Sequence, residues 1–262
     1  MMLEIHEASV VYDGHAVLDR ASLSFTPGKV TAIIGPNGAG KSTLLNVGAG
    51  HLQPSSGSVT LDGRDIKSFT TKEAARRRAV MPQDVTVAFP FTVREVVAMG
   101  RTPWDTPTTD NDEIVDAALD LTDLDPFTDR EMTTLSGGER QRVALARIIV
   151  QAAPIGPQSI LLLDEPTAAM DIGHAEETLS LTRRLASQGA TVGVVIHDID
   201  AALSYADQVV LMSHGKIDIV GPAAEVCTAE ALTRVYNTPI DVISVGGSMR
   251  VLPKRPAIGF SH

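Results

Sequence analysis

Residues 35 to 42, Gly-Pro-Asn-Gly-Ala-Gly-Lys-Ser, fit the pattern G-x-x-x-x-G-K-[ST] of a loop built to hold phosphate. The residue types explain why. Gly35, Gly38 and Gly40 let backbone N–H groups turn inward and approach anionic oxygens closely. Pro36, Asn37 and Ala39 complete the loop, and the helix predicted to start at Ser42-Thr43 adds the partial positive charge of its N-terminus. Lys41 supplies a mobile full charge for β- and γ-phosphates. The Ser42 hydroxyl is the expected Mg²⁺ ligand.

Two further stretches carry chemistry. Ile160 to Leu163 runs into Asp164-Glu165, placing two carboxylates at the end of an apolar strand. In a parallel sheet such ends lie beside the phosphate loop. Asp164 is then placed to hold the Mg²⁺ shell through water, and Glu165 to polarise an attacking water as a base. The other stretch is Leu135-Ser136-Gly137-Gly138-Glu139-Arg140-Gln141-Arg142. Ser136 can cap the helix that follows, with Gly137 and Gly138 exposing N–H groups at its positive end. This second anion site does not readily reach the phosphate loop of its own chain. Two copies arranged head to tail about a two-fold axis bring each onto the other's nucleotide.

The elements that must position these groups are legible in the patterning. Val30 to Ile34 is a β-branched apolar run, hence a buried strand leading into the phosphate loop. Leu3 to Tyr12 and Ala16 to Phe25 read as strands turning at Asp13-Gly14. Tyr12 sits at that turn, either as an ordinary strand-end tyrosine or as a platform for a nucleotide base. Gly48 and Gly50 each weaken the helix after the loop by roughly 1 kcal/mol relative to alanine, so it ends near them. Ser58 to Leu61 is a strand, Thr71 to Arg78 a short helix whose Arg76, Arg77 and Arg78 read as a solvated face, and Ala79 to Pro82 a strand leading to Gln83. Between Phe91 and Leu135 the character turns helical, with helices predicted over Val93 to Met99 and Asp112 to Leu121. Gly137 to Val150 is a strong amphipathic helix. A helix over 173–188, a buried strand from Thr191 to Ile196 ending at His197, and a hairpin of Val209–Met212 with Lys216–Val220 follow. Residues 223–237 read as helical, and the tail after Pro239 carries no clear signal.

Composition narrows the class. The 262 residues are 44% hydrophobic but only 4% aromatic, so aliphatic packing must dominate the core. Thirty-two acidic against 22 basic residues give a net charge of -10, which argues against a nucleic-acid binder with a broad basic face. Cys227 is the single cysteine, so an intramolecular disulfide is excluded, as suits a reducing compartment. The N-terminal residues show no secretion signal. Runs such as Ser159 to Leu163 and Ala190 to Ile196 are too short to span a bilayer, so any membrane role is expected to be peripheral.

Phosphate loop, LSGG stretch and LLLDEPT strand, in this order, resemble the ATP-binding cassette ATPases from about residue 3 to 225. The resemblance implies an α/β fold: a P-loop NTPase with a RecA-like core, an N-terminal antiparallel β subdomain and an inserted α-helical subdomain. It implies an ATPase domain over 1–240, with the insertion at about 84–150, and a tail over 241–262. It implies that Tyr12 stacks on adenine, that Gln83 reaches the Mg²⁺ and the water, that Asp171 spans a dimer interface, and that His197 contacts the γ-phosphate. Ser136, Gly137 and Gly138 would close on a twin's ATP. Two departures stand out. Glu139 replaces a frequent glutamine, tolerable because the glycines supply the donors, and Met170 replaces leucine before Asp171, a volume-conserving swap.

Within the family, Phe89-Pro90-Phe91-Thr92-Val93-Arg94-Glu95 and the residues that follow resemble the ATPases serving haem, ferric-siderophore and cobalamin import, and most of all the haemin type. The expected partners are a second copy, a transmembrane permease dimer and, through it, a periplasmic or lipoprotein substrate-binding protein, at the cytoplasmic face of the membrane. A non-transport cassette ATPase acting on DNA or ribosomes is the competing class. It is disfavoured by the acidic charge, the single phosphate loop and the short stretch between Lys41 and Ser136, which leaves no room for a long coiled coil.

Overall fold

The computed structural model describes residues 1–83 and 90–254. Phe89 and the expected start of the helical insertion at residue 84 lie outside the described residues. Strands β1 (Leu3–Tyr12) and β2 (His15–Phe25) form a hairpin. β3 (Val30–Ile34) leads through the phosphate loop into helix α1 (Lys41–Gly48), then β4 (Ser56–Leu61), β5 (Arg64–Asp65), α2 (Thr71–Arg77) and β6 (Arg78–Met81). A helical group follows: α3 (Val93–Ala98), α4 (Thr108–Leu121) and α5 (Gly137–Ala152). The chain returns through β7 (Ile160–Asp164), α6 (Ile172–Ser187), β8 (Thr191–Val195) and α7 (Ile199–Tyr205). It closes with β9 (Gln208–Ser213), β10 (Lys216–Gly221), α8 (Ala223–Val226), α9 (Ala229–Tyr236), β11 (Ile240–Val245) and β12 (Ser248–Pro253).

The central sheet has the order β10-β9-β3-β8-β7-β6, parallel except for β10. Every residue of β3, β7 and β8 is buried, as expected of strands covered on both faces. The period of two divides their side chains. Ala32, Ile34, Leu161 and Leu163 point into a core shared with α3, α5 and α6. Ile33, Ile160 and Leu162 point into a second core beneath the antiparallel sheet β2-β1-β4-β5 and helix α1. The phosphate loop therefore emerges at one end of a layer packed from above and below.

The helical group is held by local signals. Thr92 and Glu95 close a capping box on α3, and Val93, Val96 and Val97 pack with Val115, Leu119 and Leu145. Helix α4 begins at Thr108, earlier than its apolar pattern predicts, because Pro107 ends the extended segment and Asp110 suits the first turn. Arg101 is buried and donates through Nη1 to the Val150 and Ala153 carbonyls, both at 2.9 Å, satisfying the C-terminal end of α5.

Three expectations change. Arg78 does not share a solvated face with Arg76 and Arg77. It opens β6, and burial of its guanidinium against Gly50 pushes its pKa down. The helical reading of 223–237 divides into α8 and α9, because Thr228 caps a new helix by accepting from Ala231 N–H. The tail is not featureless: β11 and β12 pair in register from Ile240↔Pro253 to Val245↔Ser248 around Gly246-Gly247, both with positive φ.

Candidate nucleotide site

The loop between β3 and α1 uses its glycines for two purposes. A Cβ on Gly35 would fall 2.3 Å from the Met212 carbonyl oxygen, and one on Gly40 would fall 2.7 Å from that of Val17, so these two glycines let the loop pack against its own fold. Gly38, with φ +76°, faces open space and leaves the backbone approachable. Lys41 is buried and donates from Nζ to the Gly35 and Pro36 carbonyls at 2.9 and 3.0 Å. Burial lowers its pKa, opposed by the charges of Glu165 and Asp164.

β8 intervenes between β3 and β7, so the carboxylates come from the second strand away, not from the neighbour of β3. They nevertheless reach the loop. Ser42 Oγ donates to Asp164 Oδ1 at 3.1 Å. Asp164 is buried, and desolvation raises its pKa against the lowering effect of that bond. Glu165 follows with φ +51°, an uncommon conformation for a side-chain-bearing residue, which turns it from the strand line into the cavity. His197 Nε2 stands 2.5 Å from Glu165 Oε1, and Gln83 Nε2 donates to Glu165 Oε2 at 3.1 Å. Ser42, Gln83, Glu165 and His197 line a cavity of about 600 Å³ together with Asn37, Gly38 and Thr43, with Asp164 behind Ser42. Tyr12 is absent from that lining. It pairs with His15 at the end of β1 and is 51% exposed.

The LSGG stretch forms the N-terminus of α5. Ser136 Oγ accepts from Glu139 N–H at 3.3 Å, and the Glu139 carboxylate accepts from Ser136 N–H at 2.6 Å, which closes a capping box. Glu139 thus has a structural use in this position, and Arg130 lies 3.7 Å from it. A Cβ on Gly137 would meet Ala169 Cβ at 3.0 Å, and one on Gly138 the Ala169 carbonyl at 3.0 Å. Asp171 caps α6, accepting from His174 N–H at 3.0 Å, and is well exposed. Ile172 beside it is 86% exposed. The described part of the chain brings Lys41, Ser42, Gln83, Asp164, Glu165 and His197 together. Ser136, Gly137, Gly138 and Asp171 lie outside that cavity lining.

A family model described as ABC transporter matches residues 18–168. The chain belongs to the ABC transporter family. It is 47% identical over 251 residues to the hemin import ATP-binding protein HmuV of Rhodococcus jostii, covering 94% of this chain and 84% of that one. Against the protein of the same name from Nocardia farcinica it is 48% identical over 243 residues, covering 91% and 83%. The dimeric structure of MJ0796, a bacterial ABC transporter cassette, superposes with a TM-score of 0.77 at 25% identity, covering 84% of this chain and 98% of that one. The expected fold is accordingly the observed one: an ABC ATPase with an antiparallel β subdomain and a helical subdomain. This ABC transporter subunit binds ATP and is an ATPase.

Two groups at or beside the candidate site carry no clear signal in the sequence. Val17 on β2 lines the cavity, placed there by the packing of the antiparallel sheet over Gly40. Gln141, buried on α5, donates from Nε2 to the Gln83 carbonyl at 3.3 Å. Its spacing within the LSGGERQR stretch was the only available signal. The donors for a metal are hard oxygens, the Ser42 hydroxyl and the Asp164 carboxylate. No cluster of three or more His, Cys, Asp or Glu able to hold a metal exists among the described residues. A small set of oxygen donors beside a phosphate loop fits Mg²⁺, which takes one or two protein oxygens plus phosphates and water. No helix among the described residues is long and apolar enough to cross a membrane.

Proposed function

We propose that this chain is the ATP-hydrolysing subunit that energises import of haemin through a separate membrane permease. The convergence of Gln83 and His197 on Glu165, next to the Lys41 loop, carries the hydrolytic part of the reading. The names of relatives 47–48% identical over more than nine-tenths of the chain support the cargo. The ATPase itself has no reason to touch the cargo.

In this mechanism the phosphate loop offers backbone N–H groups to the phosphates, and Lys41 leaves the Gly35 and Pro36 carbonyls for the β- and γ-phosphate oxygens. Ser42 and Asp164 are the residues that would hold Mg²⁺. When bound, Mg²⁺ supplies neutralisation of the phosphate charge. Glu165 accepts the proton of the attacking water, oriented by the Gln83 amide. His197 turns from Glu165 toward the γ-phosphate, and the exposed Tyr12 ring offers its face to adenine. Two copies assemble head to tail, so that Ser136, Gly137 and Gly138 of one seal the ATP of the other and Asp171 meets its counterpart across the axis. Closure then drives a permease dimer fed by a periplasmic or lipoprotein binding protein. The subunit works peripherally at the cytoplasmic face and needs no nucleic acid.

The test is reconstitution of the complete transporter in vesicles. ATP-dependent haemin uptake is expected. Uptake of a ferric siderophore or cobalamin instead would replace the cargo, and ATPase stimulation by DNA or RNA without a permease would replace the function.

A further inference from the structure

The C-terminal hairpin lies against the nucleotide site. β12 packs on α7, the helix that begins two residues after His197, and Val251 N–H donates to Asp200 Oδ1 at 2.8 Å. Asp198 caps the same helix, accepting from Ala201 N–H at 3.2 Å. The first turn of α7 is therefore fixed at two points, one inside the helix and one from the hairpin. Between hairpin and helix lies a cavity of about 380 Å³ whose wall includes His197, Tyr236, Ile240 and Val251. His197 thus divides two spaces: it lines this cavity and also the larger one that holds Lys41 and Glu165. The Tyr236 phenol, pushed up to about 12 by burial, takes a backbone hydrogen bond at Gly35, so the same C-terminal unit also touches the root of the phosphate loop.

The bond is suited to a brace. Val251 is paired with Val242 within a two-stranded hairpin, and its N–H points out of that ladder to reach Asp200. It is an edge N–H used for tertiary contact, where one charge-assisted bond substitutes for a missing third strand. α7 has only seven residues, too few to be rigid without such support.

We infer that Asp200 is a positioning residue for His197, and that the C-terminal hairpin, through Val251, sets how His197 faces the γ-phosphate. The inference rests on the role proposed above for His197. Loss of the brace leaves the phosphate loop intact and so separates turnover from binding.

The experiment uses the full-length protein and approaches one bond from both sides. Asp200→Ala removes the acceptor and Val251→Pro removes the donor, at an edge-strand position whose N–H makes no bond within the hairpin ladder. Both are expected to lower kcat about tenfold, the low end of what misplacing a reacting group costs, with ATP affinity within about twofold of the parent. Asp200→Asn keeps a carbonyl acceptor and is expected to retain kcat. Val245→Thr, at the exposed hairpin tip, is the control for hairpin stability. The NMR signal of the His197 ring, assigned through His197→Gln, is expected to move in Asp200→Ala and not in Val245→Thr. Parental kcat in both Asp200→Ala and Val251→Pro would overturn the inference, as would an equal loss in Asp200→Asn or an unmoved His197 signal. If His197→Gln itself turns over at the parental rate, the reading of His197 fails instead, and the two failures are told apart.

Discussion

His197 Nε2 lies 2.5 Å from Glu165 Oε1, and it closes on a carboxylate whose other oxygen already accepts from Gln83. Glu165 is thus gripped from two separate elements, the segment after β6 and the segment after β8. Glu165→Gln retains the shape of this arrangement and loses the base. It is expected to bind ATP like the parent and to hydrolyse it at least about a hundredfold more slowly. Phosphate release beside equilibrium ATP binding measures both; parental turnover removes Glu165 from the role.

Lys41 offers a binding prediction of a different kind. Its ammonium rests on two backbone carbonyls and is drawn by Asp164 and Glu165. Lys41→Ala is expected to weaken ATP binding at least about tenfold, since a hydrogen bond to a charged group is worth about 1.5–3 kcal/mol. Titration with a fluorescent ATP analogue reads this directly, and unchanged affinity contradicts the phosphate-loop reading.

Two glycines of one loop are expected to fail differently. Gly35→Ala drives a Cβ into the Met212 carbonyl at a backbone angle of φ +149°, and should lower Tm sharply, by the several degrees that about 1–3 kcal/mol of strain produces. Gly38→Ala meets nothing within 4 Å, so the fold should persist with a smaller loss while ATP affinity falls. Melting curves with and without ATP distinguish the two.

Asp164 yields a pH dependence. Burial raises its folded pKa above the unfolded value, so between these two values the folded state binds more protons. Its contribution to stability is therefore lost as pH rises from near 3.8 through the folded pKa, the reverse of a salt-bridged aspartate. Asp164→Asn keeps an acceptor for Ser42 Oγ and removes the charge. It should raise Tm at neutral pH by about 2–4 °C per kcal/mol recovered, flatten the fall in Tm above pH 4, and abolish ATPase activity. Thermal melts between pH 4 and 8 check the sign; an Asp164→Asn protein that melts lower at pH 7 refutes it.

Ile172 is the large hydrophobic residue left most open beside Asp171, at 86% exposure. In a Glu165→Gln background held closed by ATP, Ile172→Asp should prevent dimer formation while leaving nucleotide bound. Light scattering after gel filtration gives the mass; a full-size dimer rules out a place for this face in the head-to-tail contact.

The site could be read early because its parts are short, contiguous and chemically explicit. Val30 to Ser42 and Ile160 to Glu165 each carry their own strand end, and the strand aims the polar groups that follow it. What eluded the sequence was set at longer range. Nothing local says that β8 stands between β3 and β7, that Val17 lines the cavity, or that Gln141 reaches the Gln83 carbonyl. A triplet of arginines reads as a solvated face, and only the start of a strand at the third one sets Arg78 apart. In the tail, Gly246-Gly247 between Ile240–Val245 and Ser248–Pro253 is a two-residue turn signal that the flanking residues do not reinforce. Its flanking strands lack a clean apolar alternation, because only Ile240, Val242 and Val251 turn toward the core while the tip stays exposed.

Gly137 and Gly138 rest on Ala169 and Met170, two residues and one residue before Asp171, within the same subunit. The two surfaces that would confront a twin are thereby welded into a single hard edge. Neither can yield to a neighbour without dragging the other along. In a symmetric pair the latch over one triphosphate and the latch over its counterpart would then share one moving part, so that letting go of a single spent nucleotide slackens both.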